Sequence, residues 1–279
     1  MGDTCCDNQT MGAISRLIEE ELPGAFVHSV KLGTSESTDR NSGFFGNLND
    51  QIAAVCSELS QMRELQRGVN LMGFSQGGLF LRALVQRCPQ LRPRTLVTFG
   101  SPHSGVARIP ECPGEGDVLC NWMRRLAARG VYSWYVRDHV IQAQYFKDPG
   151  RMDEYVERNI FLPDINGDAE PHSGSGVYRE RLLALDRMVL VRFSGDDMIY
   201  PELSSWFGFV DEGGKGVPLE NTTMYQDDWL GLRELDESGR LEFVAIEGRH
   251  MEISDQTLRS MVSKHFGGRA SESLLRVQS

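Results

Sequence analysis

The chain has 279 residues, of which 40% are hydrophobic and 24% charged, which fits one large globular α/β domain with room for an inserted subdomain and excludes a disordered or fibrous chain. A formal net charge of -10 excludes the basic footprint of a nucleic-acid binder and disfavours adhesion to anionic lipid head groups. No apolar run is long enough to span a bilayer, so no stable membrane insertion is expected, and Met1-Gly2-Asp3-Thr4-Cys5-Cys6 has neither the basic nor the apolar region of a signal peptide.

Helical and strand patterns alternate along the chain, which predicts a mostly parallel sheet covered by helices on both faces. Ile14, Leu17, Ile18 and Leu22 mark one face of a first helix, stopped by Pro23-Gly24. Residues 25–32 read as a strand and residues 33–42 as a polar loop. Leu48, Ile52, Val55, Cys56 and Leu59 form a second helical stripe. Residues 68–74 are a short apolar strand running into Ser75-Gln76-Gly77-Gly78, and residues 79–87 a helix. Residues 95–99 are the next buried strand, ending in the turn Gly100-Ser101-Pro102-His103-Ser104-Gly105.

Between residues 106 and 186 the alternation breaks. Residues 118–128 and 132–145 read as amphipathic, aromatic-rich helices, and residues 171–176 as a polar loop. This stretch is expected to be a helical cap inserted into a single domain spanning 1–267, with Trp122, Leu126, Trp134, Tyr135, Val140 and Ile141 in helical phase as candidate lining for an apolar ligand. Strands at 188–193 and 241–246 and a helix at 255–266 complete the sheet. The polar tail 268–279 is expected to fray.

Six cysteines, an even number, include the adjacent pair Cys5 and Cys6, and Cys112 and Cys120 bracket a Pro/Gly-rich loop. This suggests disulfides and an oxidising compartment, with six unrelated thiols equally open on count alone. No CxxC pair points to a metal site. Asn8-Gln9-Thr10 and Asn221-Thr222-Thr223 are candidate glycosylation acceptors.

Gly73-Phe74-Ser75-Gln76-Gly77 matches G-x-S-x-G, preceded by an apolar strand and followed by a helix. A serine on such a sharp strand-to-helix turn exposes its hydroxyl, the flanking glycines avoid collision, and the following N–H, that of Gln76, faces a reacting carbonyl. The bland alternative is a glycine-rich packing turn. A serine hydroxyl needs a base and a group to orient that base. In the α/β-hydrolase fold the order is Ser, then Asp or Glu, then His. Of six histidines, His28 precedes the serine, His103 comes too early, His139 and His172 fall in the cap, and His265 lies in the last helix. His250, in a loop after a late strand, is the candidate base. The acid is Asp196 or Asp197, after the 188–193 strand; Asp227 and Asp228 follow no clear strand.

Gly73-Phe-Ser-Gln-Gly-Gly78, Gly195-Asp196, Trp206-Phe-Gly-Phe209, Leu230-Gly-Leu232, Glu247-Gly248-Arg249-His250 and the opening Met1 to Cys6 together resemble the lysosomal palmitoyl-protein thioesterase family, from Met1 to about Gly267. The hexapeptide around Ser75 also occurs in cytosolic acyl-protein thioesterases; the double cysteine and Trp-Phe-Gly-Phe do not. The resemblance implies an α/β-hydrolase fold, a triad of Ser75, Asp196 and His250, and an oxyanion hole from the N–H groups of Gln76 and Met1. It implies disulfides Cys5–Cys6, Cys56–Cys88 and Cys112–Cys120, and no metal or cofactor. It also implies removal of long fatty acyl groups from cysteine thioesters, S-acylated proteins or peptides and fatty acyl thioesters as partners, and a lysosomal or secretory location. In that family an apolar strand ending in His-Gly precedes the Met-Gly-Asp segment; the chain starts at Met1, so a truncated or misplaced start, without signal peptide or first strand, is expected. The alternatives are a carboxyl-ester or lipid esterase of the same fold and an inactive lipid-binding homologue.

Overall fold

The structure is a computed structural model that describes residues 7, 9–108, 130–169 and 175–267. Four parallel strands form its main sheet: β1 (Val69–Phe74), β2 (Pro93–Phe99), β3 (Arg187–Phe193) and, after a small hairpin of β4 (Phe209–Val210) and β5 (Gly216–Val217), β6 (Leu241–Ile246). They pair in the order β1-β2-β3-β6. Successive residues on a strand face opposite sides of a sheet, and a parallel sheet must bury both. Accordingly Leu96, Met188 and Leu190 join one apolar cluster, while Val97, Phe99, Val189, Val191 and Phe193 join another.

The first cluster is closed by α3 (Leu48–Ser60), which buries Leu48, Ile52, Val55 and Leu59, and by α4 (Gln76–Arg87), buried at every position from Gly78 to Gln86. The second is closed by α1 (Met11–Glu21) and the last helix, Asp255–Phe266, which presents Leu258, Met261, Val262 and Phe266. Arg259 ties these two helices together through Glu20 and Glu21. The predicted strands at 68–74, 95–99, 188–193 and 241–246, and the helical stripes at both ends, are all present.

Three local expectations are corrected. Residues 25–32 join no ladder among the described residues; Phe26 is exposed, and only Val30 and Leu32 pack partly on the core. The polar stretch 33–42 contains a helix, α2 (Glu36–Ser42), because Ser35 and Thr38 form a reciprocal capping box and the buried Asp39 carboxylate accepts from the N–H groups of Leu32 and Gly33. Stretch 132–145 is two short pieces, Trp134–His139 and the 3-10 helix Ile141–Tyr145, broken where Val140 extends to bridge Phe45. The break splits the predicted stripe: Trp134 and Tyr135 are exposed, whereas Val140 and Ile141 are buried. Trp122, Leu126, the 118–128 helix and the 268–279 tail lie outside the described residues. Between β2 and β3 the described part of the expected cap also holds the helices Met152–Arg158, Leu162–Asn166 and Ser175–Leu183.

A polar network is sealed inside the first cluster. Arg82, fully buried on α4, donates to the carbonyls of Ile165 and His103 and to Asn166 Oδ1, with its guanidinium 5.0 Å from the centre of the Phe207 ring. Burial lowers its pKa to about 9, with Asp168 opposing. His103, also fully buried, stacks on Phe207 at 4.7 Å and meets Thr98 Oγ1 at 3.0 Å. Burial, reinforced by the Arg82 charge, holds His103 well below the ordinary 6.5, so it is neutral in the folded chain. The network anchors the turn after β2 to α4 and to the 3-10 helix Glu202–Trp206, where the Ser204 carbonyl accepts from the His103 N–H.

Two outcomes follow from these features. Cys56 and Cys88 are disulfide-bonded across 32 residues, joining α3 to the end of α4. Replacing both by alanine should cost about 3–4 kcal/mol and lower the melting midpoint by roughly 10 °C, read by calorimetry. For His103, the folded chain binds fewer protons than the unfolded one below pH 6.5, so its contribution makes stability fall as pH drops below that value. Chemical denaturation of His103→Gln between pH 6.5 and 5 should show a shallower pH slope than the wild type, by up to about 1.4 kcal/mol per pH unit; equal slopes would show that His103 carries no such penalty.

Candidate active site

The site lies where β1, β2, β3 and β6 end. At that edge Phe74 is level with Phe99, Phe99 with Val191, and Phe193 with Ile246. Ser75 follows β1 directly and precedes α4, with φ 51 and ψ -127, a backbone state costly for any residue with a side chain. Its N–H is held by the Phe99 carbonyl at 2.7 Å.

The sharp turn forces β1 and α4 into contact. A Cβ on Gly73 would stand 2.5 Å from the Gly78 Cα, and one on Gly78 would stand 2.0 Å from Ser101 Oγ. Gly77, the last glycine of the pentapeptide, has nothing within 4 Å of its would-be Cβ. Collision therefore excludes a side chain at Gly73, as expected from the pentapeptide, and at Gly78 rather than at Gly77.

The loops after β3 and β6 close on this serine. His250 Nε2 lies 2.9 Å from Ser75 Oγ and His250 Nδ1 lies 2.7 Å from Asp196 Oδ2. The Asp196 side chain is wholly buried, and its Oδ1 accepts from the backbone N–H groups of Met198 and Ile199 at 2.9 and 2.8 Å. Each oxygen is thereby occupied, which locks the carboxylate to one orientation. Two loop contacts reinforce the pair. Gly195 N–H donates to the Gly248 carbonyl at 2.9 Å, and Arg249 forms an ion pair with Asp197. Asp197 is thus spent on the surface, held below the usual carboxylate range by its hydrogen bond to Arg249, and meets His250 through the backbone rather than the imidazole. The two adjacent aspartates have different side-chain partners, a division which the sequence read alone leaves open.

Other candidates are elsewhere. Asp228 is buried at the start of the Leu232–Glu237 helix, accepting from the Arg233 N–H and from Arg179, and Asp227 is exposed. His28 pairs with Glu58, His139 meets the Tyr135 carbonyl, and His265 sits near Glu242 on the last helix. His172 lies outside the described residues, as do Met1, Cys5, Cys6, Asn8, Cys112 and Cys120. Asn221 is exposed beside a turn capped by Thr222. Among the described residues no group of three His, Cys, Asp or Glu side chains could hold a metal ion.

The N–H of Gln76 is at the first position of α4, where an amide has no acceptor within the helix, and so is available to an anion beside Ser75. Around it the structure adds side chains that no motif announces. Gln76 Oε1 accepts from the Tyr145 hydroxyl and from Gln142 Nε2, and Gln76 Nε2 donates to the Gly43 carbonyl. Chemically, the arrangement offers a hydroxyl with a base in contact, a base held by a buried carboxylate, and an N–H donor one residue along.

The family described as "Palmitoyl protein thioesterase" matches residues 1–250. Palmitoyl-protein thioesterase 1 of Caenorhabditis elegans is 41% identical over 95% of this chain and 89% of its own length. Palmitoyl-protein thioesterase 3 of Dictyostelium discoideum is 34% identical over 87% of this chain and 80% of its own. A Drosophila melanogaster protein named lysosomal thioesterase PPT2 homolog is 28% identical over 85% and 78%.

Proposed function

This chain belongs to the palmitoyl protein thioesterase family, and we propose that it hydrolyses long-chain acyl thioesters of cysteine in proteins or peptides, using Ser75, His250 and Asp196. The observation that carries the proposal is the hydrogen-bonded relay from Ser75 through His250 to Asp196 at the strand ends.

In the proposed reaction His250 Nε2 takes the Ser75 proton as the oxygen attacks the thioester carbonyl. A serine hydroxyl is a weak nucleophile at neutral pH, and a base already in contact removes that handicap. The Gln76 N–H stabilises the negative charge that develops on the carbonyl oxygen; an aligned donor costs no reorganisation at that moment. His250 then protonates the departing cysteine sulfur, leaving Ser75 acylated. A water deprotonated by His250 attacks the acyl-serine, and the fatty acid leaves as the Ser75 hydroxyl re-forms. Asp196 keeps the imidazole in the tautomer whose Nε2 is free to accept, and offsets its charge when protonated. Met1 as second oxyanion donor rests on family resemblance alone.

We further place the reaction in a lysosomal or secretory compartment. The Cys56–Cys88 disulfide fits an oxidising environment, and the Drosophila relative is named lysosomal. The exposed Asn221 is the described candidate for glycan attachment. No helix among the described residues is long and apolar enough to cross a membrane.

Ser75→Ala should abolish turnover of a palmitoyl-cysteine peptide, by a factor on the order of 10⁶ if the three residues act as a unit. It should also abolish labelling by a fluorophosphonate; retention of a tenth of normal activity would remove Ser75 from the mechanism. Turnover of the acyl thioester should exceed that of a matched glycerol ester, and the reverse ranking would make the enzyme an esterase. Asp196→Asn should cost about 10⁴ in rate, because His250 then presents the wrong tautomer. Asp197→Asn weakens an exposed ion pair, keeps an oxygen that can accept from the backbone, and should stay within a few-fold of wild type. Equal effects from the two aspartates would overturn the assignment of the acid.

A further inference from the structure

We propose that Tyr145 and Gln142 are positioning residues, which aim the Gln76 N–H at the oxyanion by gripping the Gln76 side chain from the segment between β2 and β3. The inference rests on the reading of Ser75 and Gln76 given above, and assigns neither residue a contact with substrate.

The Gln76 amide is held at both ends. Its Oε1 lies 3.1 Å from the Tyr145 hydroxyl and 3.4 Å from Gln142 Nε2, and its Nε2 lies 3.1 Å from the Gly43 carbonyl. Gln142 Nε2 reaches the same Gly43 carbonyl at 3.1 Å. Two other parts of the chain, the end of α2 and the Ile141–Tyr145 helix, therefore converge on one side chain of α4. Sixty-nine residues separate Gln76 from Tyr145.

The two outer parts are fastened to each other without Gln76. Ile141 N–H donates to the Phe44 carbonyl and Gly46 N–H to the His139 carbonyl. The buried Gln144 accepts from the Leu48 N–H and donates to the Gly46 carbonyl. Tyr145 is almost wholly buried, and burial raises its phenol above the ordinary 10, so the hydroxyl keeps the proton it donates. The grip is thus a rigid one.

Gln76 needs such a grip because of where it sits. The peptide joining Ser75 to Gln76 follows a strained φ/ψ pair, and at the first position of α4 its N–H has no helical acceptor to hold its direction. A donor stabilises a developing oxyanion in proportion to its alignment before the reaction. Fixing the side chain of the same residue limits rocking of that peptide. It also makes the donor's alignment depend on the segment between β2 and β3 being seated.

The test uses the full chain and a palmitoyl-cysteine peptide. Tyr145→Phe removes one hydroxyl and keeps the ring. It should lower kcat about tenfold, a fraction of the 10²–10³ that a lost oxyanion donor costs, with KM within twofold. Gln76→Met, which keeps the backbone N–H and deletes the gripped amide, should give a similar loss. The double variant should be no worse than the more impaired single one, since both act through one side chain. A purely structural role would instead lower the melting midpoint without moving kcat of the folded fraction. If Tyr145→Phe does not fold, Gln142→Met, at a half-buried position, is read by the same criteria. An unchanged kcat, a rise in KM alone, or multiplicative losses in the double variant would each overturn the inference. Ser75→Ala in the same assay separates the two levels. Surviving activity there defeats the nucleophile assignment, whereas a dead Ser75→Ala beside a normal Tyr145→Phe defeats only the positioning role.

Discussion

The site depends on four parallel strands that end at one edge of the sheet, β3 and β6 two residues beyond β1 and β2. Ser75 leaves β1, Asp196 follows β3 and His250 follows β6, so the acid and base begin two and three strands away from the serine. Strands stand about 4.8 Å apart, which puts the loops after β1 and β3 about 10 Å apart at their roots. His250 closes that gap by lying across the end of β2. The residue beneath it is Gly100, with φ 55; a Cβ there would stand 3.1 Å from His250 Cε1 and 2.8 Å from Met251 Cε. The strand that contributes no proposed reacting group is thus the one that must stay bare at its end.

Beneath the turn after β2 the support is polar and buried. Arg82, His103 and Asn166 link α4 to that turn and to the Leu162–Asn166 helix, and Phe207 covers Arg82 and His103. Hydrogen bonds at this depth are strong and costly to lose, and in this network Arg82 Nε and His103 Nδ1 are left without a hydrogen-bond partner among the described residues. Here it holds a cation and a neutral imidazole side by side, an arrangement that acid works against. The Trp-Phe-Gly-Phe segment enters the same structure, with Phe207 in the stack and the Trp206 indole donating to the Leu190 carbonyl of β3. Its part in the fold is to brace β3 and the turn after β2.

The neighbouring pairs Asp196–His250 and Asp197–Arg249 show how burial divides labour between like residues. The inner pair is shielded, with Asp196 fully buried and His250 nearly so; the outer pair is exposed. Opposite charges in water attract weakly and are screened by salt, whereas the same contact in a low-dielectric pocket is stronger and directional. Two consecutive aspartates on one loop therefore differ in the property that an orienting acid needs, although they are chemically identical.

The sequence by itself determined the sheet strands, the covering helices and the position of the elbow, because apolar periodicity and a glycine-flanked serine are local signals. It also singled out His250 among the six histidines, since the order of elements along the chain constrains which loops reach the strand ends, and His250 is the one found against Ser75 among the described residues. It missed α2, whose capping box lies in an all-polar stretch, and joined two pieces at Val140, where a bridge to Phe45 overrides the helical pattern. From the residues alone the acid stayed open between Asp196 and Asp197, and resemblance chose Asp196; the structure puts it against His250. Only the tertiary structure decided that Gly78 rather than Gly77 is sterically required, that Tyr145 and Gln142 converge on Gln76, and that Arg82 meets His103 and Asn166. Those contacts join residues tens of positions apart, and a hydrogen bond between distant side chains leaves no periodicity along a single chain from which to read it.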